Sequence, residues 1–155
     1  MRRVKLICFG RLKEPYLRAA CAEYEKRLGA FCKLEVIELN PVFLPDEPSP
    51  AQIAHALEQE AQLAQAKFSK SATIAALCVE GRRMSSEQFA AWLEGHGEVA
   101  MLIGSSYGLG ESIKKQTQLK LSLSEMTFPH QLARVMLLEQ LYRATQIQTK
   151  GKYHK

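Results

Sequence analysis

Five short apolar runs, each followed by a polar loop or a stretch of helical periodicity, leave this chain few architectures. Val4–Phe9, Leu34–Leu39, Thr73–Val79, Glu98–Ile103 and Leu119–Leu123 are aliphatic and bounded by glycine or polar residues, which predicts strands. Helical spacing fills the gaps. Pro15 suits a first turn, and Leu17, Ala20, Cys21, Tyr24 and Leu28 share one face closed by Gly29. From Ala51, a second stripe carries Ile53, Leu57, Ala61, Ala64 and Phe68, with the glutamates and glutamines as its solvated face. Ser85 and Gln88 form a capping box ahead of Phe89, Trp92 and Leu93, and Gly95 closes that helix. Glu111–Gln116 predicts a short helix, and Pro129 starts a long one running to about Thr145. Strands alternating with helices specify an α/β fold, a mostly parallel sheet sandwiched by helices. At 155 residues the chain reads as one domain, 1–155. The four prolines between Asn40 and Pro50 mark a loop inside it rather than a linker, because too few residues precede them to fold alone.

The final helix is unusual. Leu132, Ala133, Val135, Met136, Leu137, Leu138, Leu141 and Ala144 cover most of its circumference, so it must be buried on more than one side. With the sheet taken as its only neighbour within the chain, the second surface is expected on another subunit.

Composition narrows the partners. A net charge of +5 and a pI near 9.1 are compatible with a polyanionic partner and equally with plain surface charge. Cys8, Cys21, Cys32 and Cys78 form no CxxC pair, and His55, His96, His130 and His154 do not cluster with them. Buried reduced thiols are expected, and no metal. The N-terminal apolar run is too short for a signal segment, and no run of about 18 apolar residues occurs. A cytoplasmic protein without a membrane partner is expected.

Open α/β sheets keep ligand sites at strand ends that open into loops. The fourth run ends in Gly104–Gly110 (GSSYGLG) and the fifth in Leu123–Phe128 (LSEMTF). The first loop is no Walker A sequence, and Ile113 takes the place of the third glycine of GxGxxG. Its glycines permit close backbone approach to a planar ligand; an ordinary tight turn would read the same way. The second loop offers backbone donors and acceptors beside apolar side chains, which suits an adenine ring, although a plain connection looks alike. The tail, Gln148–Lys155, joins three lysines to Tyr153 and His154. With Arg134 and Arg143 it offers phosphate contacts, base stacking and proton handling; the other reading is a frayed terminus. Arg82-Arg83 and Lys114-Lys115 are further phosphate contacts or simply exposed charge.

Together LCVEGRRMSSEQFA, MLIGSSYGLG, LSLSEMTFPHQLARVMLLEQLYRA and the terminal KYHK resemble the ribosomal RNA large-subunit methyltransferase H family of SPOUT (α/β-knot) methyltransferases. The likeness spans essentially the whole chain and is strongest from Leu102 onward. The family usually has a second glycine where Ser105 stands here. The resemblance implies a homodimer, a C-terminal trefoil knot, S-adenosylmethionine as cofactor, and methylation of N3 of a pseudouridine in 23S rRNA, with the assembled ribosome as substrate. By position it implies cofactor contacts from Leu77, Gly104, Leu123, Ser124, Glu125, Met126, Thr127 and Phe128.

For the chemistry, uracil-type N3 carries an imide proton that something must accept. His154 or Tyr153 is the expected proton-handling group, with Arg143 stabilising negative charge on the base. Two other functions fit the same residues: a related knot methyltransferase acting on tRNA or another rRNA position, and a non-catalytic RNA-binding α/β module without cofactor affinity.

Overall fold

A computed structural model describes residues 1–155. Its elements are β1 (Arg2–Phe9), α1 (Pro15–Leu28), β2 (Cys32–Leu39), α2 (Pro50–Gln65), β3 (Thr73–Arg83), α3 (Ser86–Glu94), β4 (Glu98–Ile103), α4 (Glu111–Gln116), β5 (Leu119–Ser122) and α5 (His130–Gln148). The five strands make one sheet in the order β2-β1-β4-β3-β5, and every neighbouring pair is parallel. The expected α/β architecture is what the chain adopts.

Alternation along the strands feeds two cores. Val4, Leu6 and Cys8 of β1, Ala75 of β3 and Val99, Met101 and Ile103 of β4 pack with residues of α1, α3 and α5. Ile7, Phe9, Ala76, Cys78 and Leu102 point to the other face, against Ala61 and Ala64 of α2 and Ile113 of α4. Both faces are covered, which explains why the strands read as nearly continuous apolar runs. All four cysteines are buried free thiols. Burial pushes the Cys8 thiol up to about 12 and Cys21 up to about 11, so both stay protonated and inert.

Local chemistry sets the helix starts. Ser85 accepts from the Gln88 amide while the Gln88 side chain accepts from the Ser85 amide, the expected capping box. Ser49 and Gln52 make a second, unforeseen box that starts α2 at Pro50. Each such cap is worth about 1 kcal/mol.

Three expectations need correction. First, α2's acidic face is not wholly solvated: Glu60 is 4% exposed. It lies one turn from Ala56 and Ala64, both buried, so it shares their inward side. Second, α5 has more neighbours within the chain than the sheet. It packs against both α1 and α3, which accounts for the buried Ala133, Leu137, Leu138, Leu141 and Ala144. Only a narrower apolar strip stays outward, with Leu132 39% exposed and Val135 and Met136 half-buried. Third, β3 does not stop at Val79. It continues to Arg83 after an irregularity.

Candidate active site

The irregularity in β3 makes the site. Leu77 pairs with Leu121 of β5, and five residues later Arg82 pairs with that same Leu121, so the intervening Cys78–Gly81 leave the ladder. A Cβ on Gly81 would lie 2.6 Å from the Lys120 carbonyl oxygen, so only glycine lets the strand return this close to β5. Beside the excursion, at the carboxyl ends of β3, β4 and β5, opens a cleft of about 820 Å³. Leu77, Gly104, Leu123, Ser124, Met126, Thr127 and Phe128 all line it. The glycine loop and the LSEMTF loop therefore face one another across a single space.

Gly104–Gly110 is folded tightly. Gly108 donates its amide to the Ser105 carbonyl at 2.9 Å and adopts φ +96°, a left-handed conformation that suits glycine. A Cβ on Gly104 would lie 2.3 Å from the Gly108 carbonyl oxygen, and one on Gly110 2.7 Å from the Leu57 carbonyl oxygen of α2. The first and last glycines thus let the loop close on itself and onto α2.

The opposite loop leaves most of its backbone groups free. From Ser124 to Phe128 no amide or carbonyl pairs with another backbone group; the Met126 amide meets Ser124 Oγ, and the Ser124 carbonyl accepts from Ser122 Oγ. Unpaired donors and acceptors beside Leu123 and Phe128 are the chemistry an adenine ring needs. The cleft volume also falls within the roughly 300–1,000 Å³ of small-molecule sites. The residues present fit an adenosyl cofactor. One expected contact departs from this arrangement: Glu125 turns outward, 78% exposed, 3.2 Å from Arg83 Nη1, and its side chain lines no part of the cleft. That pairing also occupies Arg83.

Glu80, Pro129, His130 and Ala133 also line the cleft without having been expected there, as does Lys114, expected as a phosphate contact or exposed charge. Glu80 meets Lys114 Nζ at 3.0 Å. Its carboxyl is held below the usual range by its own backbone amide and by Lys114, whose ammonium is stabilised in return. Pro129, His130 and Ala133 at the start of α5 form a wall. Partial burial, followed by the Arg134 charge, lowers the His130 pKa, which favours the neutral imidazole. The position of His130 two residues after Phe128 was the available signal. The excursion of Cys78–Gly81 left no signal beyond Gly81.

Arg143, Tyr153 and His154 are brought together, but away from the cleft. Arg143 donates to Glu139 Oε1 through Nε at 3.0 Å and Nη2 at 2.6 Å, and its guanidinium carbon sits 4.8 Å from the Tyr153 ring centroid. Tyr153 stacks edge-on against Tyr142 at 4.9 Å and donates its hydroxyl to Glu139 at 3.1 Å. The tail is packed, not frayed. Arg143 Nη1 donates to His154 Nδ1 at 3.1 Å, so the imidazole proton belongs on Nε2, which contacts Glu87 at 2.7 Å. Hydrogen bonding with Tyr24, burial and Glu139 together push the Tyr153 phenol up, which makes it a proton donor rather than an acceptor. Arg134 is no phosphate ligand. It is 3% exposed and bound to Glu38 and the Gly10 carbonyl.

Comparison with known proteins gives the same direction. The family model described as "Predicted SPOUT methyltransferase" matches residues 2–154. A ribosomal RNA large subunit methyltransferase H from Streptococcus equi subsp. zooepidemicus is 42% identical over 158 residues, covering 99% of each chain. Proteins of the same name from Streptococcus thermophilus and Leuconostoc mesenteroides are 44% and 41% identical, with 98% or more of each chain covered. Among solved structures, a probable methylase family protein from Haemophilus influenzae superposes with a TM-score of 0.54 at 14% identity, over 99% of this chain and 70% of that one, a likeness of fold.

Proposed function

The chain belongs to the SPOUT methyltransferase family, and from that premise we propose that it methylates N3 of a pseudouridine in 23S rRNA of the large ribosomal subunit. The observation that carries this reading is the single cleft in which the ends of β3, β4 and β5 bring Leu77, Gly104 and Thr127 to one space. S-adenosylmethionine supplies an electrophilic methyl group. Leu77, Gly104, Leu123, Ser124, Met126, Thr127 and Phe128 would hold its adenosyl part between apolar walls and free backbone groups. Glu125 contributes through its backbone alone, since its side chain is turned to Arg83.

With S-adenosylmethionine bound, its sulfur would give up the methyl group to N3, and the imide proton would pass to a base of this chain. Most of the work is holding the ring in line with the methyl group. Tyr153 is held as a donor to Glu139, which leaves His154 as the candidate for the base, its Nδ1 becoming free to take the proton when the substrate draws Arg143 away. Arg143 would stabilise the negative charge that develops on the pyrimidine ring.

These residues act in trans in this reading. From His130 at the cleft to Arg143, α5 rises about 20 Å, too far for one chain to join its own cleft to its own tail without rearrangement. Leu132, Val135 and Met136 run between them on the outward side, next to a groove of about 400 Å³ bounded by α3 and α5. A homodimer formed over this strip would bring one tail to the partner's cleft. The sheet order and the return of α5 to Gly10 are compatible with a C-terminal trefoil knot. No helix is long and apolar enough to cross a membrane, and the proposed place of work is the ribosome in the cytoplasm.

The deciding experiment is mass spectrometry of ribosomal RNA from cells with and without the gene, followed by methylation of purified ribosomes. Loss of one methylpseudouridine, restored by the protein and S-adenosylmethionine, is the expected result. An unchanged rRNA with an altered tRNA would transfer the reading to another substrate.

A further inference from the structure

Glu60, on the face of α2 whose composition predicts solvation, is among the few buried charged residues and makes two contacts of consequence. Its Oε1 accepts from Ser105 Oγ at 2.8 Å, and its Oε2 accepts from the Val42 amide at 2.9 Å. Ser105 directly follows Gly104 and belongs to the cleft wall. Val42 belongs to the proline-rich segment between β2 and α2, whose next residue, Phe43, is 88% exposed. No other side-chain hydrogen bond links α2 to residues 104–110. The neighbouring Glu58 reaches past the loop, to the Ser112 amide at 3.1 Å.

We infer that Glu60 is a positioning residue for the cofactor loop: by holding the Ser105 hydroxyl and the Val42 amide, it fixes the loop against α2 before the cofactor arrives. The inference rests on the methyltransferase reading. The physical reason is preorganisation. A glycine-containing loop loses much conformational freedom when it closes on a ligand, and a bond that orders it beforehand lowers that cost. Ser105 suits this task because its hydroxyl reaches Glu60 Oε1 at 2.8 Å from the residue next to Gly104. A glycine there would give Glu60 no hydroxyl to hold. A carboxylate is fitted to two donors at once, and a hydrogen bond to a charged group is among the stronger ones. The role is in binding and not in the chemical step, since Glu60 is buried behind the loop and does not line the cleft.

The test measures S-adenosylmethionine affinity by calorimetry, KM and kcat on ribosomes, and amide exchange of residues 105–110 without cofactor. Ser105→Ala, which leaves the Val42 contact intact, should weaken affinity about three- to tenfold with kcat within twofold. Glu60→Ala should weaken it at least as much and speed exchange at the Gly108 amide. Adding Ser105→Ala to Glu60→Ala should cost nothing further. Glu60→Gln should retain most affinity, because the amide can accept from Val42 while donating to a reoriented Ser105 hydroxyl. If Glu60→Ala does not fold, Ser105→Ala and Glu60→Gln still decide. Wild-type affinity in Ser105→Ala, or fully additive losses in the double variant, would overturn the inference alone. A wild-type protein without measurable affinity for the cofactor would overturn the methyltransferase reading and this inference with it.

Discussion

Arg134, in the second turn of α5, reaches back to Glu38 near the end of β2, with Nη1 and Oε2 2.8 Å apart, and its Nη2 donates to the Gly10 carbonyl at 3.0 Å. The contact fastens the start of α5 over the ends of β1 and β2. Because Pro129, His130 and Ala133 from that same stretch wall the cleft, the pair sets the position of one side of the site.

Removing the acid should therefore cost more than a surface ion pair does. Arg134 would keep its charge and its burial while losing its partner, whereas Glu38 is 39% exposed at its side chain and is partly solvated already. Glu38→Ala should destabilise the protein by about 2 kcal/mol, discounted for that solvent exposure from the larger cost of a fully buried pair. A lowered urea midpoint at unchanged slope is the measurement that checks it.

Gly104→Ala should separate binding from folding. The added methyl would meet the Gly108 carbonyl at 2.3 Å, and the loop must open to make room. The stability cost is expected at about 1–3 kcal/mol, as for other overpacked positions. Affinity for S-adenosylmethionine should fall about tenfold or more in calorimetry, given that each tenfold step corresponds to about 1.4 kcal/mol. Retained affinity would remove Gly104 from the cofactor site.

His130 makes binding depend on pH. Its folded pKa lies below the ordinary imidazole value because burial, then Arg134, disfavours the cation. Between the two values the unfolded chain holds more protons than the native one, so stability rises with pH. The contribution is complete above the ordinary value near 6.5 and is lost as pH falls through the folded one. A ligand filling the cleft removes more water from the ring, so cofactor affinity should weaken on acidification through this window. His130→Asn should flatten that slope in calorimetric titrations from pH 5 to 8.

The tail variants address chemistry. His154→Ala should lower kcat about 10²- to 10⁴-fold, the usual worth of a positioned base, while binding of S-adenosylmethionine stays close to normal. Tyr153→Phe keeps the ring packed on Tyr142 and should cost far less. Full turnover by His154→Ala at saturating ribosomes would exclude it as the base.

The proposed arrangement in trans predicts complementation. At limiting S-adenosylmethionine, a Gly104→Ala chain and a chain lacking residues 151–155 should each be strongly impaired, and dimers mixed by co-expression should restore part of the activity. Absence of any rescue, with mixed dimers demonstrated, would mean each site is built within one chain.

Much of the fold was legible for a local reason. β4 and α4 fall where their periodicity placed them, and the Ser85–Gln88 box opens α3, because each depends on residues a few positions apart. What was missed required partners distant in sequence. Glu60 looked solvated because nothing nearby tells that Ser105 and Val42 will meet its carboxylate. Arg134 looked like a phosphate ligand because Glu38 lies 96 residues away.

The same division holds for the site. Sequence alone determined an alternating α/β chain and two loops able to receive a planar ligand, since strand alternation and glycine placement are written residue by residue. Tertiary structure decided that the loops share one cleft. It did so through the parallel register that returns Arg82 to Leu121 and expels Cys78–Gly81 from the ladder. It also turned Glu125 away and packed Arg143, Tyr153 and His154 against each other. Register and packing are properties of the whole sheet and of helices that meet only after folding, so no window of sequence contains them.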